Sequence, residues 1–259
     1  MDLATIVDRL DDELRTDDYA DIDASANGLQ VGPDSRSKSK SVEHVAFAVD
    51  AALETIEAAG EVGANLLVTH HGLSWGGIER VTGRTYDRLE AVLEHDMALY
   101  VSHLPLDGHQ ELGNAAGVAD VLGLEEREPF GEYGPEYIGQ RGEAQKPYSP
   151  TELQATLESE LATGGQPVQV LEFGPDEIEN VAIVTGSGVD WLDEALAVDA
   201  DALVTGEGKQ QVYHDAKEAG VHVVLAGHYA TETFGVTALA ELAQEWGLET
   251  TLLEAPTGL

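Results

Sequence analysis

Three short stretches pair histidine with histidine, or histidine with a carboxylate, at spacings that could gather ligands. Residues 68–77 read VTHHGLSWGG, with His70 and His71 side by side where an apolar stretch ends. In SHLPLD, Asp107 follows His103 by four residues, and in GHYATE, Glu232 follows His228 by four. That spacing puts both side chains on one face if a helix begins there, although Pro105 restricts Leu104 as well as itself. Adjacent side chains on a strand point to opposite faces. His70 and His71 can therefore converge only if the backbone turns, and the glycines at 72, 76 and 77 permit a turn.

Imidazole and carboxylate together suit Zn, Mn, Fe, Co or Ni. His70, His71, Asp107, His228 and Glu232 are too many for one four-coordinate structural site. They suit two divalent ions per chain, bridged by a carboxylate and water. Two such ions outweigh the charge of Asp107 and Glu232, so the site would attract an anionic group such as phosphate and acidify bound water. Each residue also has a plainer role. Asp107 could cap the following helix, and Glu232 could sit in a first helical turn, where the dipole favours an acid. His103 reads either as a cap or core histidine or as a catalytic residue at the site edge. His44, His95, His109, His214 and His222 read as ordinary surface or helix-end residues. Other chemistry is poorly supported. The chain has no cysteine, which removes disulfides, zinc–thiolate sites and thiol nucleophiles. TGSG and TGEGK lack the spacing of a phosphate loop, and neither G-x-S-x-G nor H-E-x-x-H is present.

The elements that would position these residues form a pattern that occurs twice. VEHVAFAVDAALETIEAAGEVGANLLVTHHG, residues 42–72, reads strand, helix, strand. IENVAIVTGSGVDWLDEALAVDADALVTGEG, from Ile178, reads the same way and lays Leu203-Val204-Thr205 on Leu67-Val68-Thr69. Under this alignment Gly206-Glu207 falls on His70-His71. A helix and a strand then lead to His103 in the first copy and to His228 in the second. The expectation is an α/β fold of two duplicated halves, with mixed, largely parallel sheets and helices packed on them. The metal site then lies at the strand ends between the halves, where open α/β sheets bind ligands. The expected organisation is a first α/β half with an N-terminal helix over 1–125, a connecting subdomain over 126–177 and a second half over 178–259. In the connector, SPTELQATLESELATGG reads as a capped helix, PVQVLEFG as a strand, and Tyr133, Tyr137 and Tyr148 as packing residues. NGLQVG, residues 27–32, reads as a turn and short strand that is either structural or lines the same rim.

Forty-nine Asp and Glu stand against thirteen Lys and Arg in 259 residues, a formal charge of −36. The acids are spread over helix-like segments, so they read as a solvated surface and not as a disordered tail. Such charge repels itself in dilute buffer and is screened at molar salt, where the Debye length is roughly 3 Å. A halophilic cytoplasmic protein is the economical expectation. The acidic N-terminus does not resemble a secretory signal, and no apolar run approaches the ~20 residues of a membrane span. Nucleic acid is a poor partner for a chain without a Lys/Arg cluster.

NGLQVG, VTHHGLSWGG, SHLPLDGHQELGN and AGHYATETFGV closely resemble, in order, the signature blocks of the Ngg-interacting-factor-three-like family, also named type 2 homologues of GTP cyclohydrolase I. The resemblance runs from about residue 27 to 245. It implies a two-part α/β fold, a toroidal homohexamer and a dinuclear metal centre facing its interior. The family's ligands fall on His70, His71, Asp107, His228 and Glu232, and His103 falls at the site edge. The family's label implies metal-dependent opening of the purine ring of GTP. A guanine pocket is not legible, because cations that would hold a triphosphate are scarce. Two functions follow: a metal-dependent hydrolase acting on a nucleotide or another phosphorylated small molecule, or a non-catalytic metal-binding or regulatory partner protein.

Overall fold

The computed structural model describes residues 1–33 and 40–259. The chain begins with α1 (Leu3–Leu14), β1 (Gly28–Val31), β2 (His44–Asp50), α2 (Leu53–Glu61), β3 (Leu66–His71), α3 (Arg84–Glu94), β4 (Ala98–Val101), α4 (Leu104–Asp107) and α5 (Asn114–Val121). It continues through β5 (Leu124–Tyr133), β6 (Glu136–Tyr148), α6 (Pro150–Glu160), β7 (Gln169–Leu171), β8 (Ile178–Ile183), α7 (Leu192–Ala197) and β9 (Ala202–Thr205). It closes with α8 (Val212–Ala219), β10 (His222–Leu225), α9 (His228–Thr231), α10 (Thr233–Glu245) and β11 (Glu249–Leu252). The order strand, helix, strand, helix, strand, short helix from β2 to α4 recurs from β8 to α9, matching the repeat seen in the sequence. By contacts the chain groups into one unit of residues 1–106 with 235–255 and another of 107–234 with 256–259.

In the first unit the sheet order is β1-β4-β3-β2-β11. Strands β4, β3, β2 and β11 run parallel, and β1 closes one edge antiparallel. Leu66, Leu67 and Val68 of β3 and Val45 to Val49 of β2 are buried, the near-continuous apolar run expected of central parallel strands. Ile56 and Ala59 of α2, with Ala91 and Val92 of α3, pack on Ala46, Ala48, Leu67, Leu99 and Val101. Helix α1 starts where Asp2 accepts the Thr5 amide at 3.0 Å, and its apolar stripe Leu3, Ile6, Val7, Leu10 and Leu14 is buried.

The second unit has the order β5-β6-β8-β9-β10-β7. Its centre, β8-β9-β10, is parallel, while β5, β6 and β7 join antiparallel. The stretch read as a connector therefore contributes strands to this sheet. Helix α6 opens with a capping box: Ser149 accepts the Glu152 amide and Glu152 reaches back to the Ser149 amide. Its Leu153 and Leu157 join Val118, Ile178, Ile183 and Val204 in the core. Among the described residues no helix is long and apolar enough to cross a membrane.

Candidate metal centre

Strand β3 carries His70 and His71 to its C-terminal end. His70 is fully buried and His71 partly so, yet their ring centroids lie 4.6 Å apart. The convergence depends on the turn after His71. A side chain at Gly72 would meet Gln30 and Val101 at 2.7 Å, so only glycine lets the chain pass there. Gly76 and Gly77 then adopt φ of +67° and +104°, a backbone region that favours glycine. His103, just after β4, brings a third ring, 5.1 Å from His70 and 5.7 Å from His71. One ligand nitrogen from each of the three lies within 4.8 Å of the others.

What surrounds these imidazoles decides their chemistry. Nδ1 of His70 lies 2.9 Å from the Ser102 carbonyl oxygen, which can only accept, so Nδ1 carries the proton. Nδ1 of His71 lies 2.9 Å from Asp50 Oδ1. Nδ1 of His103 lies 3.0 and 3.1 Å from the two oxygens of Asp23. In each neutral ring this leaves the lone pair on Nε2, the tautomer that metal-ligating histidines adopt when an outer carboxylate or carbonyl holds the other nitrogen. Asp50 reaches His71 because β2 and β3 are in register there, Asp50 opposite His71. Asp23 is held by Asn27, whose Nδ2 donates to it at 2.8 Å while Asn27 Oδ1 accepts the His103 amide at 2.8 Å. NGLQVG thus supports the rim through Asn27. Burial alone would raise Asp23, but the hydrogen bonds from His103, Asn27 and the Ser25 amide hold its carboxyl below the usual range.

The second unit holds its own group of donors. His228 is the first residue of α9, and Glu232 follows that helix directly. His228 Nε2 lies 3.2 Å from Glu232 Oε1, and its Nδ1 lies 3.4 Å from Glu207 Oε1. Burial opposes charging His228, yet the hydrogen bond and charge of Glu232 and the charge of Glu207 outweigh it and set its pKa at about 9. Glu232 is 3% exposed. Gly186, at φ +59°, passes so close that any side chain there would collide with its carboxylate. Asp107, 7% exposed, accepts from Asn114 Nδ2 at 2.8 Å. Carboxylate oxygens and imidazole nitrogens gathered in this way are a donor set that a divalent cation fits.

The structure thus brings His70, His71 and His103 together in one unit and His228 with Glu232 in the other. Asp107 ends α4, the short helix that Pro105 enters at its first turn, where proline is tolerated. The sequence reading did not single out Asp50, Asp23, Glu207 or Trp75. For Glu207 a signal existed, since the repeat lays it on His71.

The two sheets with helices packed on them define a mixed α/β protein with histidine–carboxylate clusters that could hold a metal, and comparison with known sequences names the family. Residues 1–257 match the family model Duf34/NIF3 (NGG1p interacting factor 3), and the chain belongs to that family. It is 58% identical, over the whole of both chains, to a GTP cyclohydrolase 1 type 2 homolog of Halobacterium salinarum. It is 42% identical to the protein of that name from Archaeoglobus fulgidus, again over the whole of both. Among solved structures, TTHA1606 from Thermus thermophilus is similar at a TM-score of 0.88 and 38% identity, with all of each chain covered.

Proposed function

We propose that the chain binds two divalent metal ions through His70, His71, Asp107, His228 and Glu232 and uses them to hydrolyse a nucleotide or another phosphorylated small molecule. The observation that carries this reading is the pair of adjacent imidazoles, His70 and His71, each with Nδ1 held by an acceptor so that Nε2 presents the lone pair, with the His103 ring beside them. The name shared by the relatives, GTP cyclohydrolase 1 type 2 homolog, supports a nucleotide as the substrate class. Bound divalent ions would supply Lewis acidity and a positive field for an anionic group. The chain's own part is to hold that group and move protons. His103 Nε2 accepts a proton from the attacking water, while the Asp23 carboxylate orients the ring and stabilises the imidazolium. A toroidal homohexamer belongs to the same reading, supported by apolar side chains left exposed around α3, Tyr86 at 48% and Leu93 at 63%.

The scarcity of cations, thirteen Lys and Arg in all, favours a second reading as a non-catalytic metal-binding or regulatory partner. A turnover screen over nucleotides and phosphoesters in molar KCl, with Mn or Zn, separates the two. Hydrolysis by the wild type, lost in folded Asp107→Ala and Glu232→Ala variants, is the expected result. Stoichiometric metal without turnover of any substrate would favour the non-catalytic reading.

A further inference from the structure

Trp75 stands beside the histidines without filling the core. It is 47% exposed, an unusual place for the largest apolar side chain. The His103 ring meets it edge-on, at 4.9 Å and 80° between planes, and His71 lies 5.9 Å away at 48°. Neither imidazole is stacked parallel on the indole, and an edge-on contact covers at most one of its two faces. The residue is also moored. Trp75 pairs with Ser25 in an isolated antiparallel bridge. On either side of it, the Ala26 amide donates to the Ser74 carbonyl at 3.2 Å and the Gly76 amide donates to the Ala24 carbonyl at 2.7 Å. The moored strip adjoins Asp23 and Asn27, the residues that hold His103. A solvent-facing aromatic plane on a moored backbone thus stands one ring away from the lone-pair nitrogens.

We propose that Trp75 is a stacking platform for the planar heterocycle of the substrate, a nucleobase whose phosphate-bearing end lies toward the histidines. Stacking is indifferent to hydrogen-bond pattern, because every base presents a π-face. It therefore accounts for base binding in a chain with few cations and no legible guanine pocket. This inference rests on the nucleotide reading above, but it assigns the residue that would select a base over a bare sugar phosphate.

The test uses the full chain at molar KCl with Zn held constant, and three probes: GTP, GMP and ribose 5-phosphate. The last two differ only in the base. Calorimetry on the wild type should find GMP bound more tightly than ribose 5-phosphate. Trp75→Leu should weaken GTP and GMP roughly tenfold to a hundredfold and leave ribose 5-phosphate within twofold, while Trp75→Phe should keep most of the preference. A second measurement does not depend on the leucine variant folding. In a Trp191→Phe/Trp246→Phe protein, Trp75 is the remaining indole, and GMP should quench its fluorescence while ribose 5-phosphate does not. Equal affinities for GMP and ribose 5-phosphate, or no quenching by GMP, would overturn the platform and leave the phosphate reading standing. No binding of any of the three at millimolar concentration would overturn the nucleotide reading and the platform with it.

Discussion

Asp50 and Asp23 do for His71 and His103 what the Ser102 carbonyl does for His70: each fixes a ring and its tautomer. Asp50→Asn keeps the size of the side chain and removes its charge. It should lower zinc affinity by about 10- to 100-fold, read by competition with a chromophoric chelator, with the melt of the metal-free protein little changed. Unaltered affinity would remove Asp50 from the centre. His228 supplies a pH signature. Its folded pKa of about 9 lies above the ordinary 6.5, so the stabilisation from its pairing with Glu232 and Glu207 is complete below 6.5 and is lost as pH rises through about 9. Chelator-treated wild type should therefore lose stability between those pH values, and His228→Asn should show a flatter course. Parallel curves for the two proteins would contradict the pairing. The histidines and the i, i+4 acids were legible because adjacency and short spacing mark them in the chain. Asp50 meets His71 through strand register, and Asp23 meets His103 across 80 residues, separations that no local pattern encodes. Trp75 was hidden for a different reason, since an aromatic beside glycines has no period.

At the scale of elements, the parallel strands were the readable part. Apolar runs separated by helical spacing announce βαβ units, and β2, β3, β8, β9 and β10 fall where those runs lie. The β5–β6 hairpin was obscured by charge. LEEREPFGEY exposes five consecutive residues after Leu124, and acids are poor strand formers, so tertiary pairing and not propensity makes this strand. Strand β11, ETTL, is short and polar. Its place beside β2 in the first unit's sheet follows from a parallel ladder to residues some 205 earlier, from Glu249↔His44 to Leu252↔Phe47. Helix α6 was legible from its cap, and that cap can be tested. Ser149→Ala removes the acceptor for the Glu152 amide and should cost about 1 kcal/mol in a denaturant melt, with metal content unchanged. No loss of stability would mean that water replaces the capping box.

At the scale of the whole molecule, the −36 charge and the metal-seeking donors act on stability in separable ways. Unscreened acids repel one another, so the melting temperature should rise steeply between about 0.1 M and 2 M KCl. A flat response would mean that the acids are compensated locally. A bound metal would act by preferential binding to the folded chain. His71 lies in the first unit, and Glu232 lies in the second. If both serve one pair of ions, losing either should weaken the same linkage. The decisive measurement is a set of denaturant melts at fixed high salt for wild type, His71→Ala and Glu232→Gln, each with chelator and with zinc. At zinc a hundredfold above its dissociation constant the wild type should gain about 2.7 kcal/mol for each ion bound, and both variants should lose most of that gain, measured for each protein against its own chelator-treated melt because Glu232→Gln also removes a partner of His228. An equal zinc-dependent gain in all three proteins would contradict a metal centre shared by His71 and Glu232.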